Sequence, residues 1–575
     1  MSTGRAASAP RGASSPATSA EVTGREAALG HRAAAVATAA ALAAGAALRI
    51  WQYAGGASLS LDELALARNV VDRPLGSLLV ERLAYGQVAP RGFLLLEKLA
   101  VLLLGGSEYA LRLVPLSCAI ASLALFALVA RRVLSGAAVP FAVALLALAT
   151  PLIDYGAQVK QYSGDVTAAL AITLLALTWT PAADARRRLL VGLAGFVLVW
   201  LSQPAVFVLT GAAVALVAAA LQERDRRALR ALLPVLALWG AGVLAAVGVG
   251  LASATPTTRA YLRDYWWVGF VPVPRTLDDA LWGWRAARAV FAVPLLGYPF
   301  ATPYVVLATA GAWSLWRQRR VAAAILLAPV LVTLVAAGLR QYPFADRLVL
   351  FLLPAALLLV AEGVEWVRTR WPMRLRAVGA LSVALLALPP AAALLRNPPV
   401  YRPEEVRPAL AYIRAHRRPG EPVYVYYGAW QAVGYYGARY GLEDSAVIGG
   451  GCHRGDPRAY LRELDRLRGA PRVWLLFVHA LAPLGERESM LRYLDRIGAR
   501  RAAVELAPRP SESPTVAAYL YDLSDPVRLG GAAAETAPLA IAPFHVSVGD
   551  GCVVGPQVPV VADAAGGGTP LFLSR

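Results

Sequence analysis

Asp62 and Glu63 stand side by side at the start of an amphipathic stretch, 61–71, just beyond the first long apolar run. A second polar segment, Gln158-Val-Lys160-Gln161-Tyr162-Ser163-Gly164-Asp165, opens a later apolar run, and Gln161 and Asp165 share a face at helical spacing. Ionisable groups at a bilayer edge are costly to keep, so each is a candidate site residue. Carboxylates beside a lysine suit glycosyl transfer from a lipid-phosphate sugar. A carboxylate can act as general base on an acceptor hydroxyl. Lys, Arg or a divalent cation held by carboxylate oxygens can stabilise the departing phosphate. The bland alternatives are a solvated helix start for Asp62 and Glu63, a helix N-terminal charge for Asp165, and a snorkelling surface pair for Glu97 and Lys98.

The elements that must position these residues are membrane helices. The chain has 575 residues, 58% hydrophobic and 16% charged, with a mean hydropathy of +0.52. Soluble domains are nearer half apolar and a quarter charged, and here the apolar excess is gathered into long runs. That disfavours a soluble enzyme, a disordered scaffold and a nucleic-acid partner. The net charge of +19 comes mostly from arginine clusters between the runs, which read as topology determinants. Lys98 and Lys160 are the only lysines among 56 basic residues. An ammonium kept where Arg is the default hints at a specific use. No Walker motif, dinucleotide fingerprint or HExxH occurs.

Residues 1–30 read as a disordered cytoplasmic tail. Residues 31–396 read as a transmembrane domain of about 11 helices, the last near 377–395. With the N-terminus inside, every arginine cluster falls on the cytoplasmic side. Loops 54–108, 154–163 and 253–299 then lie outside, with everything beyond 397. The 93–104 stretch is too short to span and is expected at the interface. The aromatic residues of 253–299 suit a head-group anchor or a lid. Residues 397–540 alternate strand and helix patterns and predict a small α/β domain. Residues 541–575 are a Gly-, Ala- and Pro-rich tail. Cys452 and Cys552 lie in this exported part and could pair. The tyrosines between Tyr424 and Tyr440 read as a sheet face or a carbohydrate-binding surface. The fold class expected is an all-α polytopic membrane protein with a small C-terminal extracytoplasmic α/β domain, located in a bacterial inner membrane.

Several segments together resemble the GT-C glycosyltransferases, in particular the protein mannosyltransferase-like and RgtA/B/C/D-like branch. They are Leu61-Asp62-Glu63, Gln87-Val-Ala-Pro90-Arg-Gly-Phe-Leu-Leu-Leu-Glu97-Lys98, Glu108-Tyr-Ala-Leu-Arg112, Val159-Lys160-Gln161-Tyr162-Ser163-Gly164-Asp165 and Gln341-Tyr342-Pro343-Phe344-Ala345-Asp346-Arg347. The resemblance implies a multi-span helical core that takes a sugar from a polyprenyl-phosphate donor outside the cytoplasm. The acceptor would be an envelope glycan, a lipid or a protein; direct displacement at the anomeric carbon inverts it if no covalent intermediate forms. It places Asp62, with Glu63 beside it, as catalytic base or metal ligand, and Asp165 as the second acidic residue. Asp165 would either orient the site or share a divalent cation, Mg or Mn, with Asp62. Lys160, Arg347 and Arg112 become candidates for the donor phosphate, with Gln161, Tyr162, Glu97 and Lys98 as further substrate contacts. The His-Pro-Pro of some members is Val88-Ala-Pro90 here. The alternative is a non-enzymatic transporter or scaffold for lipid-linked glycan assembly. A transporter calls for paired repeats or broken helices at mid-membrane, whereas the charges read here sit at the outer edge.

Overall fold

The structure is a computed structural model, and it describes residues 16–291, 301–370 and, with short gaps, 386–541. Its first helix, Pro16–Ala54, starts inside the stretch expected to be a disordered tail. Alanine-rich sequence has high helix propensity, and the apolar run continues it. Helices long and apolar enough to cross a membrane are Leu29–Ala54, Glu108–Val133, Ala205–Gln222, Arg226–Ser253, Arg320–Gly338 and Asp346–Arg370. The pair Ala138–Leu148 and Thr150–Ala157 makes a further span if its 61° bend is counted as one. Tyr162–Leu177, Ala185–Leu201 and Ala301–Gln318 coincide with three more predicted runs. The run near 377–395 lies largely outside the described residues.

The bend has a local cause. Pro151 opens the second helix of the pair, so the helical ladder loses a donor there. Arg49, fully buried in the first helix, donates to the carbonyl of Ala147, which Pro151 leaves without its helical donor, at 3.2 Å and to that of Leu146 at 3.3 Å. The break delivers the chain into the polar 154–163 segment. Glu362 also lies within a span, accepting from Ser314 Oγ at 2.8 Å. The charges therefore do not all keep to the outer edge as the sequence suggested.

Helices Ala301–Gln318 and Leu353–Arg370 cross backbone to backbone. A Cβ on Gly311 would lie 1.9 Å from Leu359 O, and one on Gly363 would lie 2.0 Å from Leu307 O. Small residues permit such crossings where no hydrophobic drive separates helix from lipid. Gly363→Leu is expected to overpack the crossing and cost about 3 kcal/mol. The check is the thermal unfolding midpoint of the detergent-solubilised protein; an unchanged midpoint contradicts the close crossing.

Beyond residue 400 a five-stranded sheet runs in the order β2-β1-β3-β5-β4. The strands are β1 Val423–Val425, β2 Val447–Gly449, β3 Val473–Val478, β4 Ala499–Leu506 and β5 Val516–Asp522. β1 is parallel to β2 and β3, and β5 is antiparallel to β3 and β4. Side chains alternate across the pleat. Trp474, Leu476 and Val478 join helix Val406–His416 in a core shared with Leu64, Phe93 and Leu111 of the membrane domain. Leu475, Phe477 and Tyr519 pack on the other face against helix Glu486–Ile497. The two domains thus share one apolar core. β1, β3 and β5 coincide with the strand patterns that the sequence shows at 422–427, 473–478 and 516–523. β2 and β4 do not: both are edge strands, and the Ala and Arg content of β4 hides its pattern. Tyr424 and Tyr426 are fully buried. Cys452 is disulfide-bonded and Cys118 is free. Cys552, the partner expected for Cys452, lies outside the described residues, as does nearly all of the 541–575 tail.

Candidate functional site

The adjacent carboxylates Asp62 and Glu63 open helix Leu61–Asp72 and face different surroundings. Glu63 is buried. Its oxygens accept from Arg112 Nε and Nη2 at 2.9 and 3.0 Å, from Val159 N at 2.9 Å, and from Ser60 N and Oγ at 3.0 and 3.1 Å. The Ser60 bonds form a capping box that fixes where the helix begins. The Val159 bond fixes the neighbouring Lys160. Glu63 therefore has no oxygen free for a substrate. Arg112 is spent in the same way: besides Glu63 it serves Ala57 O at 2.6 Å and Ser58 O at 3.1 Å. Its expected role at the donor phosphate finds no support in this geometry, because its donors are all turned inward.

Asp62 is the exposed member of the pair, with its side chain 41% accessible. Its carboxylate pairs with Arg347 at 3.2 Å, and Lys160 and His479 also act on it. Burial raises this carboxyl, but Lys160, Arg347 and His479 outweigh it and hold Asp62 below its usual range. Lys160 is pushed down by its own burial, against the pull of Asp62. It donates from Nζ to Gln87 Oε1 at 3.0 Å.

Arg347 follows Asp346, a non-glycine residue in the left-handed region at φ 45°. Its guanidinium lies 5.9 Å from the Tyr162 ring centroid and 5.5 Å from that of Trp266. The segment is held to the 253–299 loop by Phe344 N donating to Gly269 O at 2.7 Å. Arg347 Nε is buried without an acceptor. A cavity of about 920 Å³ starts beside Asp346 and is lined in part by Trp267, Phe270, Trp282 and Phe344.

His479 comes from the other domain, at the residue after β3. It too is left-handed, at φ 58°, and its Nδ1 is hydrogen-bonded to Glu404 Oε1. Glu404 Oε2 accepts from Leu61 N at 2.6 Å, in the first turn that carries Asp62. Glu404, His479, Trp266 and Gln87 were not singled out from the sequence as site residues. The one signal for His479 was its being one of five histidines, placed directly after an apolar strand.

Tyr162 lies beside Arg347, and the remaining expected site residues have their own contacts. Lys98 Nζ caps the far end of helix Leu61–Asp72 through Val70 O at 2.8 Å and Val71 O at 3.2 Å, roughly 13 Å along the helix from Asp62. Glu97 is fully buried with neither oxygen partnered. The two do not form the surface pair considered from the sequence. Gln161 precedes helix Tyr162–Leu177, and Tyr162 packs edge-on against Tyr155 at 4.8 Å. Asp165 lies in the first turn of that helix, hydrogen-bonded to Ser202, with Oδ1 unpartnered.

Among the described residues no group of three or more His, Cys, Asp or Glu side chains could hold a metal ion. Asp62 is already ringed by cations and Asp165 is engaged with Ser202. The donor set at Asp62 does not fit a divalent cation, which the surrounding positive charges would repel. The same set fits an anion.

No family model matches the chain, and no curated protein does. Solved structures do match. ArnT from Cupriavidus metallidurans bound to undecaprenyl phosphate is 15% identical, with a TM-score of 0.44, over 84% of this chain and 97% of that one. The Archaeoglobus fulgidus oligosaccharyltransferase in complex with Zn and sulfate is 12% identical, with a TM-score of 0.43, over 84% of this chain and 73% of that one. At these identities and scores the likeness carries no residue and no activity across.

Proposed function

We propose that this protein is an integral membrane glycosyltransferase. It moves a sugar from a polyprenyl-phosphate donor to a hydroxyl of an envelope glycan, lipid or protein on the outer face of a bacterial inner membrane. The observation that carries this reading is one accessible carboxylate, Asp62, set among Lys160, Arg347 and His479 at the end of a bundle of membrane-length helices. A base and a cationic cradle then share one site, with a cavity of about 920 Å³ beginning beside Asp346. The orientation is supported by the arginine clusters. Arg319 Nη1 donates to Arg132 O at 2.7 Å, so two clusters meet at one end. Glu108, at the start of the Arg132 helix, meets Tyr436 of the C-terminal domain, about 36 Å away along the helix.

In the resting site Arg347 holds Asp62. A donor phosphate competes for Arg347, whose Nε already lacks an acceptor, and for Lys160. Losing that ion pair and gaining a nearby negative charge raises the Asp62 carboxyl from its depressed level. Asp62 becomes a stronger base once the donor is bound. The acceptor oxygen attacks the anomeric carbon, and its proton passes to Asp62. The bond from that carbon to the phosphate oxygen breaks, and its electron pair leaves on the phosphate, steadied by Lys160 and Arg347. Direct displacement inverts the configuration. Glu63 positions Lys160 through Val159, and Asp165 anchors Ser202 beneath the Tyr162 turn.

Lys160→Ala is expected to lower kcat/KM for the donor roughly 100-fold. Lys160→Arg should recover part of the loss, since it keeps charge without the compact ammonium. Steady-state transfer kinetics check both; a Lys160→Ala enzyme with unchanged kcat/KM removes Lys160 from the cradle. The function itself is tested by deleting the gene and analysing envelope glycans and polyprenyl-phosphate sugars by mass spectrometry. One glycan should lose a residue while one lipid-linked sugar accumulates. An unchanged profile of both contradicts the reading.

A further inference from the structure

We propose that His479 is a third, pH-dependent arm of the phosphate cradle, inserted by the C-terminal domain and held by Glu404 so that its Nε2–H donates to the donor phosphate. This rests on reading the Asp62 site as a phosphate site. Nδ1 is committed to Glu404, which leaves Nε2 as the nitrogen able to serve a ligand. The placement is built rather than incidental. His479 holds a left-handed backbone at φ 58°, a conformation that costs on the order of 1 kcal/mol outside glycine and gathers at functional sites. Gly428 leaves the room for it: a Cβ there would meet Val478 O at 2.5 Å and His479 Cβ at 3.4 Å. Glu404 also accepts from Leu61 N, so one carboxylate fixes both the imidazole and the turn that carries Asp62.

The charged groups facing His479 come from each surrounding element. Glu404 precedes helix Val406–His416, Asp62 lies on helix Leu61–Asp72, and Arg454 is in the loop after β2. Lys160 and Arg347 act on the same Asp62 carboxylate as His479 does. Burial pushes the imidazole down, but Glu404 and Asp62 outweigh burial and Arg454, so His479 titrates above its ordinary value. Its contribution is therefore complete in mildly acid solution and is lost as pH rises through that raised value.

The test measures binding of farnesyl phosphate to the full-length protein in detergent from pH 6 to 9. It compares the natural protein with His479→Asn, a residue that tolerates the left-handed backbone. Taking the ratio of the two Kd values at each pH cancels the titration of the phosphate itself. The expected ratio is about tenfold at pH 6, as for loss of one charge-assisted hydrogen bond, falling towards one by pH 9. Glu404→Gln should move that fall to lower pH. A ratio that stays constant across the range overturns the role of His479 while leaving the phosphate site standing. Failure of the natural protein to bind farnesyl phosphate at any pH overturns the phosphate reading and this inference together.

Discussion

Asp62→Asn is expected to lower the rate of sugar transfer about 1,000-fold, within the range lost when a positioned general base is removed, while the protein still folds and inserts. Two observations make this separation of function from stability sharp. Asp62 is the accessible carboxylate of the pair, and its ion pair to Arg347 at 3.2 Å is partly solvated, so its removal costs about 1 kcal/mol. Its charge also opposes the anion that Lys160, Arg347 and His479 attract. The variant should therefore bind a prenyl phosphate more tightly than the natural protein even as turnover collapses. Single-turnover transfer of a labelled sugar, paired with a binding isotherm, reads both effects. Full activity in the variant removes Asp62 as the base. Lost binding together with lost activity makes it a structural residue instead.

Glu63→Gln, one residue along, is expected to behave in the opposite way. Glu63 and Arg112 form a buried ion pair whose remaining bonds reach Val159, Ser60, Ala57 and Ser58. Neutralising one partner leaves the other charged in a dry site, and breaking such a pair costs about 3–5 kcal/mol. The variant should unfold at markedly lower temperature and show protease cleavage around residues 54–61. Arg112→Met combined with Glu63→Gln should regain much of the stability, since no orphan charge remains. Thermal unfolding in detergent across the three variants checks this. Equal stability for Glu63→Gln and Asp62→Asn contradicts the division of labour between the neighbours.

That division marks where the sequence stops being legible. Charges at a membrane edge stand out because they are expensive there, which is why Asp62 and Lys160 could be singled out without coordinates, whereas Arg347 was reached only through the family resemblance of the 341–347 segment. Nothing in the sequence separates Asp62 from Glu63. Consecutive helical residues point about 100° apart, and only the fold decides which side meets Arg112. Arg112 looked like a phosphate ligand because its long-range partner was invisible. The scarcity of lysine was an uneven guide, since Lys160 stands beside Asp62 whereas Lys98 caps a helix. Glu404 and His479 lie more than 300 residues from Asp62, and their approach depends on a core shared between two domains. The helical bundle was readable from its apolar runs, whereas Arg49, which stabilises the 61° bend, was lost inside one of them.

The most direct test is an experimental structure of the protein with a prenyl monophosphate bound. The phosphate should lie within hydrogen-bonding distance of Lys160 Nζ and the Arg347 guanidinium, with Arg347 drawn off Asp62 and the Asp62 carboxylate left facing an open acceptor side. A phosphate seated away from these side chains, or a metal ion bridging Asp62 to it, would contradict a site in which fixed cations and a single carboxylate do the chemistry.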